Sequence, residues 1–195
     1  MTTRCVPKLR LNLVGTVLLS FGALLCLTEN TMADYYNFNG TSACSITNSG
    51  ISFGAYDVST GAAVTNSGGS IGISCDTTLV AGTGTSAVAT IKLSVGGTST
   101  SGGGTTLGTF TQRKMRMGSS SNSNANMSYN IYTEPSYTTI WGDGTSSTSY
   151  LSFTAISDGG NRATASYTLY GKIDAGQYSL RAGPYAAYVV ATITW

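Results

Sequence analysis

Residues 188–195 read Tyr-Val-Val-Ala-Thr-Ile-Thr-Trp, which is the clearest strand pattern in the chain. Successive side chains of a β-strand point to opposite faces, so every second residue shares a face. One face of this segment carries Val189, Ala191, Ile193 and Trp195. Because that face is wholly apolar and the other is mixed, the pattern predicts a strand whose apolar side lines a core.

The rest of the chain carries similar patterns in segments separated by turn-forming residues. Only 3 of 195 residues are proline and 25 are glycine, and Gly, Ser, Thr, Val, Ile and Tyr dominate, which favours strands joined by turns. Strands are predicted at residues 42–47, 51–56, 70–76, 87–95, 107–111, 127–133, 138–141, 150–156, 164–172 and 186–195. Short strands at this spacing indicate one all-β domain, an antiparallel sandwich that is immunoglobulin-like in the broad sense.

The N-terminal 33 residues have the features of a signal peptide. The basic residues near the start are Arg4, Lys8 and Arg10. An uncharged, largely apolar run follows over residues 11–27, as in the apolar region of a secretory leader. Small residues at positions 31 and 33 match the recognition subsites of a signal peptidase, so we predict a cut between Ala33 and Asp34.

Two membrane anchors are alternatives to a cleaved leader. An uncleaved spanning helix would need roughly 20 apolar residues, and the run at residues 11–27 is at the short end of that length. A lipid anchor at Cys26 is disfavoured because such sites want a small residue before the cysteine, and Leu25 is large. The sequence therefore favours removal of residues 1–33 and predicts no stable membrane span afterwards.

The remaining chain is close to electrically neutral. The leader contains three of the 10 basic and one of the 8 acidic residues, which leaves seven of each. A neutral chain lacks the electrostatic footprint that nucleic acids or anionic lipids require. The one basic cluster, residues 113–116 (Arg-Lys-Met-Arg), is interpreted as a charged strand edge or loop that discourages edge pairing.

Cleavage would also leave only two cysteines, Cys44 and Cys75. Exported proteins meet an oxidising compartment, and two cysteines allow one connectivity, so the sequence predicts a Cys44–Cys75 disulfide. The alternative is a pair of buried free thiols.

The predicted mature domain carries no recognisable chemistry for catalysis. The chain has no histidine, which removes the usual nucleophile-activating base and the commonest zinc ligand. The carboxylates after the new N-terminus stand singly, and most flank turns; they are Asp57, Asp76, Glu134, Asp143, Asp158 and Asp174. Such residues usually satisfy the backbone of their own turn. We therefore predict no catalytic, cofactor-binding or metal site, with a hydrolase using Asp143 and Asp158 as the remote alternative.

Several segments, taken in order, carry a family resemblance. They are Cys44, residues 52–57 (Ser-Phe-Gly-Ala-Tyr-Asp), 73–75 (Ile-Ser-Cys), 129–133 (Tyr-Asn-Ile-Tyr-Thr), 141–145 (Trp-Gly-Asp-Gly-Thr), 170–173 (Tyr-Gly-Lys-Ile), 176–177 (Gly-Gln) and the final strand. Together they resemble the spore coat protein U domain, which also builds subunits of archaic chaperone-usher pili. The ordered set spans nearly the whole chain after the leader.

This resemblance implies an incomplete immunoglobulin-like sandwich that lacks one strand and is completed by a donor strand from another subunit or a chaperone. It implies three partners: a periplasmic chaperone, an outer-membrane usher and other pilus subunits. The expected function is that of a structural pilus subunit in adhesion and biofilm formation, exported through the periplasm to the cell surface. A secreted spore or envelope coat protein and a carbohydrate-binding adhesin are the alternatives.

Residues 34–43 would be the donor segment, ahead of the domain at residues 44–195. A donor strand needs apolar residues at alternate positions. Tyr36 and Phe38 alternate in this way, but Gly40 and Ser42 follow on the same face. The sequence therefore predicts a short donor, or else a frayed N-terminus.

Overall fold

The computed structural model describes residues 8–18, 44–76, 86–98, 105–120, 122–156 and 162–194. Within these ranges the chain forms ten strands and one 3-10 turn at Ser123–Ala125. The strands are β1 Lys8–Leu18, β2 Cys44–Asn48, β3 Ile51–Asp57, β4 Val64–Asp76, β5 Ser86–Leu93, β6 Arg113–Met117, β7 Asn126–Tyr132, β8 Leu151–Ile156, β9 Arg162–Ile173 and β10 Gly183–Thr194. Among the described residues, no helix has the length and apolarity needed to cross a membrane.

The strands pair in the order β2-β4-β9-β7-β6-β10-β1-β3, and β5 pairs with both β10 and β8. Strand β10 changes partner along its length, since Tyr185 and Ala186 pair with β6 whereas residues 191–194 pair with β5. The path also folds back on itself, because β3 at one end packs on β4 and β9, and the strands therefore form two layers. The predicted all-β, immunoglobulin-like sandwich is confirmed.

The core lies between these layers, and β10 contributes most to it. Its alternate residues Tyr185, Ala187, Val189, Ala191 and Ile193 are all 0% exposed. The predicted apolar face at the end of the chain is therefore confirmed, except for Trp195, which lies outside the described residues.

Strand β3 packs on the opposite layer through side chains. The Phe53 ring meets the Tyr129 ring of β7 edge-on, with 6.1 Å between centroids. A Cβ at Gly171 of β9 would lie 2.6 Å from the Phe53 ring, and one at Gly69 of β4 would lie 2.1 Å from the Gly50 carbonyl oxygen. Both glycines are needed because β3 approaches β4 and β9 closely.

The predicted disulfide is confirmed: Cys44 and Cys75 are bonded. They stand directly opposite each other in the antiparallel pairing of β2 with β4. The bridge therefore fixes the register of β2, the first strand that the structure describes after the predicted cut.

Two of the predicted strands do not form as continuous strands. Residues 107–111 and 138–141 make only isolated bridges, at Gly108 and at Ile140 and Trp141. Gly108 adopts a φ of 83°, which breaks the extended backbone that the flanking apolar residues suggested.

The interpretation of residues 113–116 as a strand edge or loop is also wrong, because β6 is an interior strand between β7 and β10. Arg113 is fully buried. Its guanidinium donates to the carbonyl oxygens of Ser94 and Trp141 and to Asn130 Oδ1. Burial lowers the pKa of Arg113 to about 10, so the side chain remains charged at neutral pH and neutral acceptors satisfy it.

Candidate functional site

The candidate site is the position of β1 between two strands of the domain. Strand β1 pairs antiparallel with β10 over ten consecutive residue pairs, from Lys8 with Thr192 to Val17 with Gly183. On its other edge it pairs parallel with β3. We call the space between the facing edges of β3 and β10 the slot.

The β10 wall of the slot is a long regular edge. Its inward-facing residues form the fully buried series described above, while the residues between them are partly exposed. The opposite edge of β10 is already bonded to β6 and β5. The edge of β10 that faces the slot is therefore the one with which an added strand can pair.

The β3 wall contains a bulge. Its pairing with β1 shifts register between Val14 and Thr16, and Gly54 has a φ of 71°, the conformation of a glycine bulge. Phe53 and Tyr56 are three residues apart, yet both are buried. Without the extra residue, strand alternation would turn one of them outward.

The end of β3 is anchored through Tyr56. The Gln177 backbone N–H donates to the Tyr56 hydroxyl at 3.0 Å. The Gln177 side chain donates to the carbonyl oxygens of Ser128 and Asp174 and accepts from the Ser128 N–H at 2.6 Å. Residues 52–57 and 176–177, two of the segments behind the family resemblance, thus meet and hold the β3 wall to β7 and β9.

Strand β1 is the only strand that pairs with β3 within the described ranges. The occupant of the slot therefore supplies the ladder hydrogen bonds of β3 and completes those of β10. Such an arrangement binds an extended segment through main-chain bonds, and alternate side chains select it. An empty slot would present two open edges, which favours aggregation.

The predicted donor residues Tyr36 and Phe38 lie outside the described residues, as does the predicted cut after Ala33. Their roles stay predictions. The domain boundaries at residues 33 and 43 stay predictions as well.

The slot walls were found only in part from the sequence. Val189, Ala191 and Ile193 were predicted to line the core, but Tyr185, Ala187 and the inward position of Tyr56 were missed. Alternation from residue 185 onward was the available signal for the first two. For Tyr56 the signal was Gly54, because a glycine inside a strand pattern indicates a bulge.

Three of the carboxylates act within turns, as predicted. Asp57 accepts from the Ser59 N–H and hydroxyl, and Asp143 accepts from the Thr145 N–H and hydroxyl. Although slight burial acts in the opposite direction, hydrogen bonds from residues 133, 138 and 139 lower the pKa of Glu134 to about 2. Asp158 lies outside the described residues.

The described part of the chain holds no cluster of three or more His, Cys, Asp or Glu side chains that could bind a metal ion.

Several aromatic side chains pack against one another in the regions described. Tyr137 makes edge-on contacts with Tyr132 and Tyr170, at 5.6 and 6.3 Å between centroids. The most exposed tyrosine, Tyr178, lies against Gly61. This packing is the usual role of aromatic residues in sheets.

Comparison with known proteins agrees with the motifs. A search of curated proteins gave no match. The family model named Spore Coat Protein U domain matches residues 36–192, which include β3, all but the last two residues of β10, the bonded pair Cys44 and Cys75, and nearly the whole domain predicted from the sequence. The match covers well over half of the chain and confirms the resemblance, so the chain belongs to the spore coat protein U domain family.

Proposed function

We propose that this protein is a structural subunit of a surface pilus that assembles by strand exchange in the slot. In this proposal a periplasmic chaperone occupies the slot first, and the N-terminal segment of the next subunit replaces it at an outer-membrane usher. The family is associated with pilus-like surface structures, which supports export to the cell surface and a role in adhesion and biofilm formation.

The observation that carries the proposal is the position of β1. This strand supplies the pairing between β10 and β3, yet it belongs to the segment predicted to be removed on export. Cleavage would leave a domain with buried apolar residues along an open slot, which is the state that accepts a strand from another chain. The disulfide supports the same destination, because structural disulfides belong to oxidising compartments.

The proposed role involves no catalysis. Asp57, Glu134 and Asp143 are each engaged by hydrogen bonds in their own turns. Strand exchange requires hydrogen bonding and apolar burial, and both are supplied by the slot walls. Other pilus subunits are the proposed final partners.

The test uses residues 34–195, secreted to the periplasm together with a periplasmic chaperone of the chaperone-usher class. We expect a soluble complex that forms stable polymers when the chaperone is displaced, whereas residues 44–195 bind the chaperone and do not polymerise. Equal polymerisation of both forms would show that residues 34–43 are not the donor. Failure of the chaperone to increase the soluble yield would contradict the slot as an assembly site.

A matched pair of variants tests the donor alternation. Tyr36→Asp with Phe38→Asp places charges on the predicted apolar face, and Tyr35→Asp with Asn37→Asp places them on the other face. We expect the first pair to block polymer formation and the second to permit it. Equal effects would show that the segment does not enter the slot as a strand.

A further inference from the structure

We propose that residues Lys8–Leu18 of the uncleaved chain are an intramolecular ligand of the slot, so that the precursor completes itself and cleavage opens the slot. This inference rests on the proposed function, because it gives the slot a second, earlier occupant. The leader segment would then prevent strand exchange until it is removed.

The register of β1 carries the argument. In an antiparallel ladder, directly paired residues share a face of the sheet. The leucine positions of β1 pair with buried positions of β10: Leu9 with Ala191, Leu11 with Val189, and Leu13 with Ala187. The intervening positions Arg10 and Asn12 pair with Val190 and Tyr188 on the partly exposed face. A shift of one residue would reverse this match.

Residue size also matches along the wall. Gly15, the residue of β1 without a side chain, pairs with Tyr185, the largest of the five buried wall residues. Tyr185 is fixed there because its single hydroxyl proton lies within reach of the carbonyl oxygens of Asn124 and Arg181, at 3.1 and 2.9 Å from the hydroxyl oxygen.

The β3 wall gives a second, independent register. Leu13 pairs with buried Ile51 and Val17 pairs with buried Tyr56, whereas Val14 pairs with exposed Ser52. Leu13 and Val17 are four residues apart, whereas their partners Ile51 and Tyr56 are five residues apart. The bulge at Gly54 accommodates the extra residue of β3, so both β1 residues stand opposite buried positions. The two registers agree at Leu13, which pairs with buried Ala187 of β10 and with buried Ile51 of β3.

The leader segment has more apolar residues at alternate positions than the predicted donor segment has. Residues 9–17 offer four apolar residues at alternate positions, interrupted by Gly15, whereas residues 34–43 offer only Tyr36 and Phe38. The leader also belongs to the same chain as the domain, so its binding to the slot is intramolecular and needs no second molecule. An uncleaved chain should therefore resist a free donor segment.

The test compares the full chain 1–195 with residues 34–195, both refolded with the disulfide formed and both measured by amide hydrogen exchange and light scattering. We expect the full chain to be monomeric and its β3 amides to exchange at least about tenfold more slowly than those of residues 34–195. Equal protection of β3 in the two proteins would overturn the inference.

A pair of neighbouring substitutions tests the register. Leu11→Asp places a charge opposite buried Val189, and Asn12→Asp places the same charge opposite Tyr188. We expect L11D to lose the β3 protection and N12D to retain it. Identical behaviour of L11D and N12D would show that this register is wrong.

Addition of a synthetic peptide of residues 34–43 and of the purified chaperone separates the two proposals. If either stabilises residues 34–195 while L11D and N12D are alike, the leader inference fails and the slot remains an assembly site. If neither partner nor leader changes the protection of β3, both proposals fail.

Discussion

Strands β2 and β3 follow each other with only two residues between them, yet they are held in different ways. Strand β2 pairs with β4 over five residues and is bonded to it through Cys44 and Cys75. Strand β3 pairs only with β1 in the described part of the chain. The partner of β2 belongs to the domain itself, whereas the partner of β3 belongs to the predicted leader.

The difference shows how a domain can keep one wall of a slot in place while the occupant changes. The β3 side chains Ile51, Phe53 and Tyr56 are buried, and they fix the strand to β4, β7 and β9 from its face. Its backbone edge pairs with β1, which belongs to the predicted leader. Face packing and edge pairing of β3 thus involve different segments of the chain, whereas the edge of β2 that faces β4 is paired within the domain.

The largest expected effect comes from removal of the face packing. Phe53→Ala deletes the ring that contacts Tyr129 and lies over Gly171, and loss of a buried phenylalanine costs about 3–5 kcal/mol in the free energy of unfolding. Urea denaturation of the full chain measures this loss. Hydrogen exchange should show that β3 loses more protection than β2.

Ser52→Ala is the matched control, because Ser52 is an exposed neighbour on the same strand. Its effect should stay within about 0.5 kcal/mol. Similar losses from both substitutions would mean that β3 is not fixed through its buried face.

A somewhat smaller effect is expected from opening the disulfide. The bridge joins residues 31 apart in the sequence, and closing a loop of this size restricts the unfolded chain by about 3–4 kcal/mol in the chain-entropy model. Replacing Cys44 and Cys75 together by serine should lower the thermal midpoint and the periplasmic yield. Because the bridge lies between β2 and β4, the slot should still accept a strand.

Gel mobility and thermal denaturation of the wild type, with and without reductant, check this prediction directly. Unchanged mobility and an unchanged midpoint would contradict a stabilising bridge. Loss of strand binding on reduction would contradict the separation of β2 from the slot.

The elements that the sequence predicted well are those decided by local pattern. The alternation of residues 188–194 and the pairing of the two cysteines after the leader needed no knowledge of partners. Strand β6 was missed because Arg113 and its basic neighbours were taken for an exposed edge. Its burial depends on carbonyl oxygens of distant residues such as Ser94 and Trp141, and no local pattern reports these.

The slot could not be predicted from local sequence pattern for a related reason. Residues 11–27 form an apolar run that indicates export, and this signal concealed the alternation of Leu9, Leu11 and Leu13. Strand order also depends on contacts between residues far apart in the chain, as in the pairing of Lys8 with Thr192. The family resemblance implied that the sandwich lacks one strand. The structure shows that β3 and β10 form the walls of the slot between them.

The smallest expected effect concerns the turn that ends β3. Hydrogen bonds from the Ser59 hydroxyl and N–H lower the pKa of Asp57 below its usual 3.8. A carboxyl whose pKa is lower in the folded state stabilises the fold above its unfolded pKa, and this contribution is lost as the pH falls through the folded value. Asp57→Asn should therefore lower stability slightly at neutral pH, and the difference from wild type should vanish in acid.

An NMR titration of the Asp57 carboxyl carbon measures the shift, and Ser59→Ala is the paired variant. That substitution removes the hydroxyl donor at 2.7 Å and leaves the N–H donor at 2.8 Å, so the pKa of Asp57 should rise towards 3.8 without losing the turn. The Gly61 N–H, which donates to the Asp57 carbonyl oxygen at 3.0 Å, should stay protected. Because these bonds are local to residues 57–61, the titration should be the same with the slot filled or empty. A midpoint that changes with the occupant would mean that the turn at the end of β3 depends on the strand that fills the slot. The whole of β3, including this turn, would then differ from β2 in depending on a partner from outside the domain.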